Sequence, residues 1–459
     1  MKLINILLFI CVIPSFSLRA NDVNLSYSHD EKVYQSHNEW MSKISNNTKL
    51  HRLSIIGSHN SGSRLGGHSA QTQTLSVKQQ LEAGIRLFDI RLVQWSDKMY
   101  VYHGAIYQDL SLSNVISDMK DFLSDHPSET LIVRIKKEGD SVNAQGSFGD
   151  VIGNYIQNDE TYFYRKAKNL NNVTLGDVRK QIVILRDFNA NSPAADFGYK
   201  YSKNHGNYVI SDDHYLSHNW ALYDKWLDVK SAIKTANDKQ NLSSYKKKTF
   251  VTFLSGSGGV FPYFVASGKS SSGTHAGQLL TGLTTPAFKS WYLDFPRGSC
   301  FIGICSIYFS GTNMLTYKHI EEGKLTFVGW VFADFPGPGL IRRIVNTNPK
   351  NALASKSNSC TQKEFKICFF EHGNYRGIKS CYTKQSGDNK KSIGWVGSLL
   401  NDSWSSYQVN GGNHSVNGTL ETCQHSNYSG YCNIRAENSN RFIHDQNDDI
   451  SSFIFQCSN

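Results

Sequence analysis

Residues 53–62 read LSIIGSHNSG, and the change of character within this stretch decides the fold. Leu53, Ile55 and Ile56 make a short apolar run that passes directly into His59, Asn60, Ser61 and Gly62. Strands of a parallel sheet covered on both faces are apolar along their length, and polar groups gather where they end. The same switch recurs at FDIR (88–91), YHG (102–104) and VGWVFAD (328–334). Working outward, the candidate strands are 53–56, 87–92, 99–103, 130–136, 181–186, 249–254 and 326–333, with helical patterns between them. SVKQ at 76–79 is a capping-box start for a helix that Gly84 can end, and 113–125 reads as a second helix stopped by His126-Pro127. Repeated strand–helix units predict an α/β fold with a parallel barrel.

The chain has 459 residues, more than one ordinary core accommodates, so two domains are expected. Residues 1–20 hold Lys2, a short apolar run and small residues around Ser17 and Ala20, which predicts a secretory signal peptide. The predicted first domain is 21–345. Residues 346–359 (NTNPKNALASKSNS) read as a linker. From 360 to 459 helical periodicity disappears and an internal repeat emerges: EHGNYRG (371–377) is echoed by QHSNYSG (424–430), and NDSWSS (401–406) by NDDISS (447–452). Two copies of one β unit predict a small all-β domain of two Greek keys.

Nine cysteines are present; Cys11 lies in the predicted signal, leaving Cys300, Cys305, Cys360, Cys368, Cys381, Cys423, Cys432 and Cys457. An even number in an exported chain predicts disulfides, and no CxxC pair has zinc spacing. Net charge is +10, with the cations dispersed. A basic exported chain suits anionic lipid, nucleic acid or polyanionic glycans; contact with a membrane surface, and no nucleic acid, is the expectation.

Four polar stretches carry the candidate chemistry. His59 can serve as a general base or simply cap its loop. Asp89 and Arg91 alternate onto one side of a strand, where opposite charges are costly unless paired or used. They can form a structural ion pair, or an Arg that binds phosphate with a carboxylate that positions it. His103 supplies a second imidazole at a strand end, followed by Gly104. Two histidines flanking an arginine suit phosphodiester cleavage: one deprotonates an attacking hydroxyl, the other protonates the leaving alkoxide, and Arg91 stabilises the phosphorane charge. Asp334 can orient one of the histidines or be a turn residue.

Together the stretches SIIGSHNSG, QLEAGIRLFDIRL, VYHG, FLSDHPSETLIVRIKKE, LGDVRKQIVILR, PYFVASG and VGWVFADF resemble the bacterial phosphatidylinositol-specific phospholipases C, in order and spacing. The resemblance covers most of 40–344. It implies an irregular TIM-type barrel that cleaves phosphatidylinositol, free or in a glycosylphosphatidylinositol anchor, to diacylglycerol and inositol 1,2-cyclic phosphate. By that resemblance His59 is the general base toward the inositol 2-hydroxyl and Asp334 supports it. Arg91 contacts the phosphate beside Asp89, and His103 is the general acid. Lys137, Arg186 (offset by one residue), Asp213 and Tyr215 fall where the family contacts the inositol. Bacterial members commonly carry Asp after the first His, where it partners the acid histidine; here the residue is Asn60. Its neutral amide is expected to lower the His103 pKa and give a reduced rate or a shifted acidic limb of the pH–rate profile. Eukaryotic relatives use His-Asn with calcium, but place a metal-binding carboxylate where this chain has Arg91. A guanidinium there repels calcium and can replace its charge, so catalysis is expected to need no metal.

The tail, 360–459, resembles the βγ-crystallin fold, and NDSWSS and NDDISS match its microbial calcium-binding form. The resemblance implies a structural calcium held by Asp402, Ser405, Asp448, Asp449 and Ser451, with Cys368–Cys381 and Cys423–Cys432 paired within copies and Cys360–Cys457 joining the ends. Two further stretches suit a lipid interface or ordinary core packing: 255–266 (SGSGGVFPYFVA) and 290–309 (SWYLDFPRGSCFIGICSIYF), the second with a Cys300–Cys305 bridge. A secreted or periplasmic monomer in peripheral contact with membranes is the expectation. Another phosphodiesterase on a related barrel, or a non-catalytic lipid- or glycan-binding protein, are the competing readings.

Overall fold

The computed structural model describes residues 25–459 except 192, 204, 213–214, 219–220, 287–293, 303, 350–364, 373–375, 386–389, 394–405, 410–417, 426–428, 436–440, 443–451 and 458–459. The chain divides into a larger unit, Asn24–Ser357, and a second that includes Asn358–Asn459.

The larger unit is built on eight parallel strands: β1 (Ile55–Ser58), β2 (Leu87–Trp95), β3 (Leu131–Lys137), β4 (Ile182–Asp187), β5 (Gly198–Lys200), β6 (Tyr208–Ser211), β7 (Thr249–Phe253) and β8 (Trp330–Ala333). Their order across the sheet is β5-β4-β3-β2-β1-β8-β7-β6, and every pairing is parallel. The path runs once round a curled sheet, and its two end strands are consecutive in the chain. Across that seam the rings of Tyr201 and Tyr208 meet edge-on, with centroids 5.2 Å apart. This is the expected irregular TIM-type barrel. Strands β5 and β6 carry too short an apolar run to stand out in the sequence.

The candidate strand 99–103 has a different place. Lys98–His103 turns back antiparallel to β2, with Val101 opposite Leu92, and pairs onward with Ile106–Ser111. His103 therefore stands on a hairpin beside β2 and not at the carboxyl end of a barrel strand. The two expected helices form. Ser76 and Gln79 make the capping box of Val77–Ala83, and Gly84 ends it at φ +108°. The second helix spans Leu112–Asp125, capped by Ser111.

Burial of Ile55, Ile56, Leu87, Ile132, Val183, Val251 and Val331 makes the strand layer continuous with one large core. One ionic device is sunk in it. Arg86 and Glu129 are both fully buried and bond at 2.8 Å. Arg86 also donates to the carbonyls of Leu81, Ile85, His37 and Asn38, and Glu129 accepts from Met41 N and Ser128 Oγ. The expected linker begins too early. Asn348 is buried, accepts from Ser54 N at 2.8 Å and donates to Ser54 O at 2.8 Å, so 346–348 closes the barrel against the start of β1.

The second unit reflects its repeat. Its first copy supplies Phe365–His372, Arg376–Lys384, Lys390–Ile393 and Ser406–Val409; the second supplies Gly418–His425, Ser429–Arg435, Arg441–Phe442 and Ser452–Cys457. These strands form two antiparallel sheets, and the third strand of each copy pairs in the sheet of the other. Cys368–Cys381 is a disulfide, and Cys423 lies opposite Cys432 in the equivalent register. Cys360 lies outside the described residues.

Removing one partner of a buried ion pair leaves the other charged and unpaired, at a cost of about 3–5 kcal/mol. Glu129→Ala is expected to lower the urea midpoint of the larger unit accordingly. Asp238→Ala, which breaks the exposed Lys234–Asp238 pair, should cost less than about 1 kcal/mol. Equal midpoints for the two variants would contradict the role given to Glu129.

Candidate active site

The site is assembled from four neighbouring strands. Strand β8 ends at Ala333 and passes to Asp334; β1 ends at Ser58 and passes to His59; β2 carries Asp89 and Arg91; β3 carries Arg134 and Lys136. The turn after β1 is held from several sides. His59 N donates to Ala333 O, Ser61 N to Asp89 O, and Gln73 Nε2 to both His59 O and Ala333 O. Asn60 takes φ +42°, a left-handed conformation that asparagine tolerates better than most residues.

His59 Nδ1 lies 2.8 Å from Asp334 Oδ1, and Asp334 is 1 % exposed. The carboxylate accepts the Nδ1 proton, which leaves a lone pair on Nε2. Arg91 Nη2 donates to that Nε2 at 2.7 Å. Arg91 Nε donates to Asp89 Oδ2 at 3.1 Å, and its Nη1 lies 3.6 Å from Glu138 Oε1. Asp89 is wholly buried. It also accepts from Arg134 Nη1 at 3.0 Å and from Asn60 N at 3.2 Å. Burial alone would raise its pKa, but Arg134 and Arg91 outweigh that and hold the carboxyl far below the usual range. The alternative of a structural ion pair therefore holds in part: Asp89 is structural, while Arg91 reaches the His59 imidazole.

His103 Nδ1 donates to Ala70 O at 2.6 Å and stands 3.1 Å from Ser63 Oγ, so Nε2 is its free edge. Its pKa is lowered, first by burial; the Ala70 carbonyl opposes this, His59 and Arg91 add to it, and Glu138 opposes it. The expected direction is present, with burial as its largest cause; Asn60 is 3 % exposed, neither of its side-chain polar atoms has a hydrogen-bond partner among the described residues, and it brings no charge to oppose the shift. The expectation needs one correction. A general acid works only while protonated, so a lower His103 pKa moves the high-pH limb and not the acidic one.

Two expected inositol contacts are displaced by strand alternation. On β3, Arg134 and Lys136 share the face of Asp89 and Arg91, their register partners. Lys137 falls on the other face and is exposed; Lys136 reaches the cluster, 3.2 Å from Glu138 Oε2. On β4, Asp187 stands beside Lys136 in the register, while Arg186 lies beside Ile135, donates to Gly198 O and lines a separate cleft with Asn189 and Lys200. Arg134 bonds Asp187 at 2.5 Å. Tyr215 is 70 % exposed. Asp213 lies outside the described residues, as do Asp402, Ser405, Asp448, Asp449 and Ser451. Among the described residues no cluster of three His, Cys, Asp or Glu forms a metal site.

Sequence reasoning missed Glu138, Arg134, Lys136, Ser63 and the Ala70 carbonyl. The first three were findable: in VRIKKE, positions 134, 136 and 138 alternate onto one face in register with Asp89 and Arg91. The histidine contacts of Ser63 and Ala70 depend on how the loop after β1 folds. The arrangement holds an imidazole whose Nε2 lone pair is occupied, a cation between that imidazole and a carboxylate, and a second imidazole whose Nε2 has no partner among the described residues.

Residues 47–187 match the family model described as phosphatidylinositol-specific phospholipase C, X domain. A 1-phosphatidylinositol phosphodiesterase of Listeria monocytogenes is 38 % identical over 188 residues, 38 % of this chain and 57 % of that protein, so the match spans little more than half of the relative. A protein of the same name from Staphylococcus aureus is 28 % identical over 348 residues, 69 % of this chain and 96 % of that one. A solved structure of the S. aureus phosphatidylinositol-specific phospholipase C, from work on its membrane binding, aligns with TM-score 0.50 at 21 % identity, covering 69 % of this chain and all of that one. That likeness supports the barrel fold. With the geometry of β1, β2 and β8, these matches make residues 47–187 similar to the X domain of phosphatidylinositol-specific phospholipases C, and the larger unit similar to their bacterial members.

Proposed function

We propose that the chain is a phospholipase C that cleaves phosphatidylinositol to diacylglycerol and inositol 1,2-cyclic phosphate, with His59 and His103 as base and acid and no metal in the chemistry. The observation that carries the reading is the contact between Arg91 Nη2 and His59 Nε2 at 2.7 Å, with Nδ1 tied to Asp334. It puts a fixed positive charge within reach of both the base and any phosphate beside it. A phosphate oxygen accepts Arg91 in exchange for the imidazole, and the inositol 2-hydroxyl then meets the freed lone pair. Nε2 takes the hydroxyl proton and the oxygen attacks phosphorus. The bond from phosphorus to the diacylglycerol oxygen breaks, and that oxygen takes the proton from His103 Nε2. Arg91 meets the charge gathered on the equatorial oxygens, the role a divalent ion would otherwise fill.

Phosphorus NMR of protein with phosphatidylinositol vesicles and a chelator tests this. The cyclic phosphate signal is expected from the unmutated protein and should fall at least about a thousandfold in rate with His59→Ala. Product that appears only when calcium is added would overturn the role of Arg91.

The neighbours of His103 give a pH prediction. Glu138 raises the His103 pKa, against burial and the nearby cations. Glu138→Gln removes that charge, so the acid form is lost at lower pH and the high-pH limb of kcat/KM moves downward. A limb that stays in place, or moves up, would show that another group sets it.

The amino-terminal apolar run supports export, which sequencing the amino terminus of the mature protein checks. For the second unit we propose a structural calcium held by the NDSWSS and NDDISS loops, on the evidence of the repeat alone. Calcium should raise the melting temperature of the second unit, and Asp402→Ala with Asp448→Ala should abolish the rise.

A further inference from the structure

Between the helices Pro262–Ser267 and Thr312–Glu322 the chain makes an excursion that the barrel does not require. It forms a three-stranded antiparallel sheet ordered Leu280–Pro286, Ile304–Tyr308, Arg297–Phe301. Its root is fixed. The excursion leaves at Gly268 and returns at Phe309, where the backbones approach so closely that a Cβ on Gly268 would lie 1.6 Å from Phe309 O. Asp294 accepts from Trp226 Nε1 at 2.6 Å and pairs with Lys230 at 2.7 Å, while Phe295 packs edge-on against Tyr223. Tyr223 and Trp226 belong to the first turns of the helix Ala221–Lys239.

The far end has the opposite character. Cys300 and Cys305 face each other across the last turns of the hairpin and are joined by a disulfide. Beyond the staple, Phe301 is 78 % exposed and Ile302 is 83 % exposed, more than any other large apolar side chain among the described residues. Ile302 also holds φ +46°, which is costly for a β-branched residue where glycine or asparagine would fit without strain. Two apolar side chains on a cross-linked tip, one in a backbone conformation that disfavours it, are not what folding of the unit asks for.

We propose that this stapled hairpin is a membrane-insertion tip, with Phe301 and Ile302 entering the interface of an anionic bilayer. The inference rests on the reading of the larger unit as a phosphatidylinositol-cleaving enzyme, whose substrate lies in a membrane. The small size of the apolar tip selects the occupant. A stable protein interface needs roughly 800 Å² from each partner, and two exposed side chains offer far less. A bilayer interface accepts a narrow apolar probe, and the net charge of +10 draws the chain to anionic lipid. The disulfide keeps the two side chains presented together, so little order is lost on insertion.

The test uses the full chain and sucrose-loaded vesicles of phosphatidylcholine and phosphatidylglycerol, with no phosphatidylinositol. Phe301→Ser with Ile302→Ser is expected to weaken co-sedimentation roughly tenfold to a hundredfold. Cleavage of a water-soluble inositol phosphodiester should stay unchanged, which shows that the variant is folded. Phe301→Trp keeps the apolar character and should show a blue shift of its fluorescence on adding vesicles, absent with the tip in water. Unchanged sedimentation of the double variant, or no fluorescence shift, overturns the proposal. So does a dimer in vesicle-free solution that the double variant abolishes, since the tip would then serve a second copy of the chain. If the unmutated protein binds vesicles through the tip but cleaves no inositol phosphodiester, the insertion tip stands and the enzymatic reading falls.

Discussion

The carboxylate of Asp89 is the constraint on which the site depends. It is removed from water entirely, a position that a charge occupies only when its desolvation is offset. Here Arg134 holds one oxygen, and Arg91 Nε with the Asn60 backbone holds the other. Each bond also fixes something else. The Asn60 contact sets the turn that carries His59, the Arg91 contact aims a guanidinium at the base, and the Arg134 contact extends to Asp187 on the next strand. Arg134 lies against the rings of Tyr201 and Phe253, so the cation that neutralises Asp89 is itself packed into the barrel interior. The low pKa of Asp89 follows from this geometry, Arg134 and Arg91 outweighing the burial that would raise it.

The sheet order explains how residues 275 positions apart become one dyad. Strand β8 pairs with β1 from Ile55 and Trp330 through Ser58 and Ala333, so His59 and Asp334 leave the sheet side by side. Strand β2 lies on the other flank of β1, and β3 beyond it. The parallel barrel thus brings the carboxyl ends of four adjacent strands to one place, which is why this architecture supports sites made of distant residues. His103 reaches the same place by another route, along a hairpin that folds back beside β2.

Much of this was legible in the sequence because strand alternation is a strict rule. FDIR places two charges on one face of a run whose other side chains are apolar, and those charges are Asp89 and Arg91 as found. The same rule, applied to VRIKKE, would have selected Arg134, Lys136 and Glu138; Lys137, chosen by resemblance, lies on the opposite face of β3 from these. Arg186 likewise lies one position from Asp187, which stands beside Lys136. What lay beyond reach is of another kind. Alternation does not say that 99–103 reverses to run antiparallel, because a hairpin strand and a barrel strand can carry the same apolar pattern. Nor does it show that His103 Nδ1 is spent on the Ala70 carbonyl, since a backbone acceptor leaves no residue type to read. Strands β5 and β6 were missed because they have three and four residues, and the contact between Tyr201 and Tyr208 at their seam is made by side chains.

On the proposed reading Arg91 is more than a binding group. Its guanidinium is shared between the lone pair of His59 and the carboxylates of Asp89 and Glu138, so it covers the nitrogen that would act as base. A neutral ligand offers nothing that competes for the guanidinium. A phosphodiester does, because a charged oxygen is a stronger acceptor than an imidazole nitrogen. On that reading the anion that Arg91 would bind is also what uncovers His59 Nε2. Recognition and activation become one event, and Asp89 sets its reach by holding the other edge of the guanidinium in place. A lysine at position 91 could bind phosphate as a point charge, but it lacks the planar fork that spans base and carboxylate together. The exchange therefore demands arginine, on a strand whose register brings it to His59.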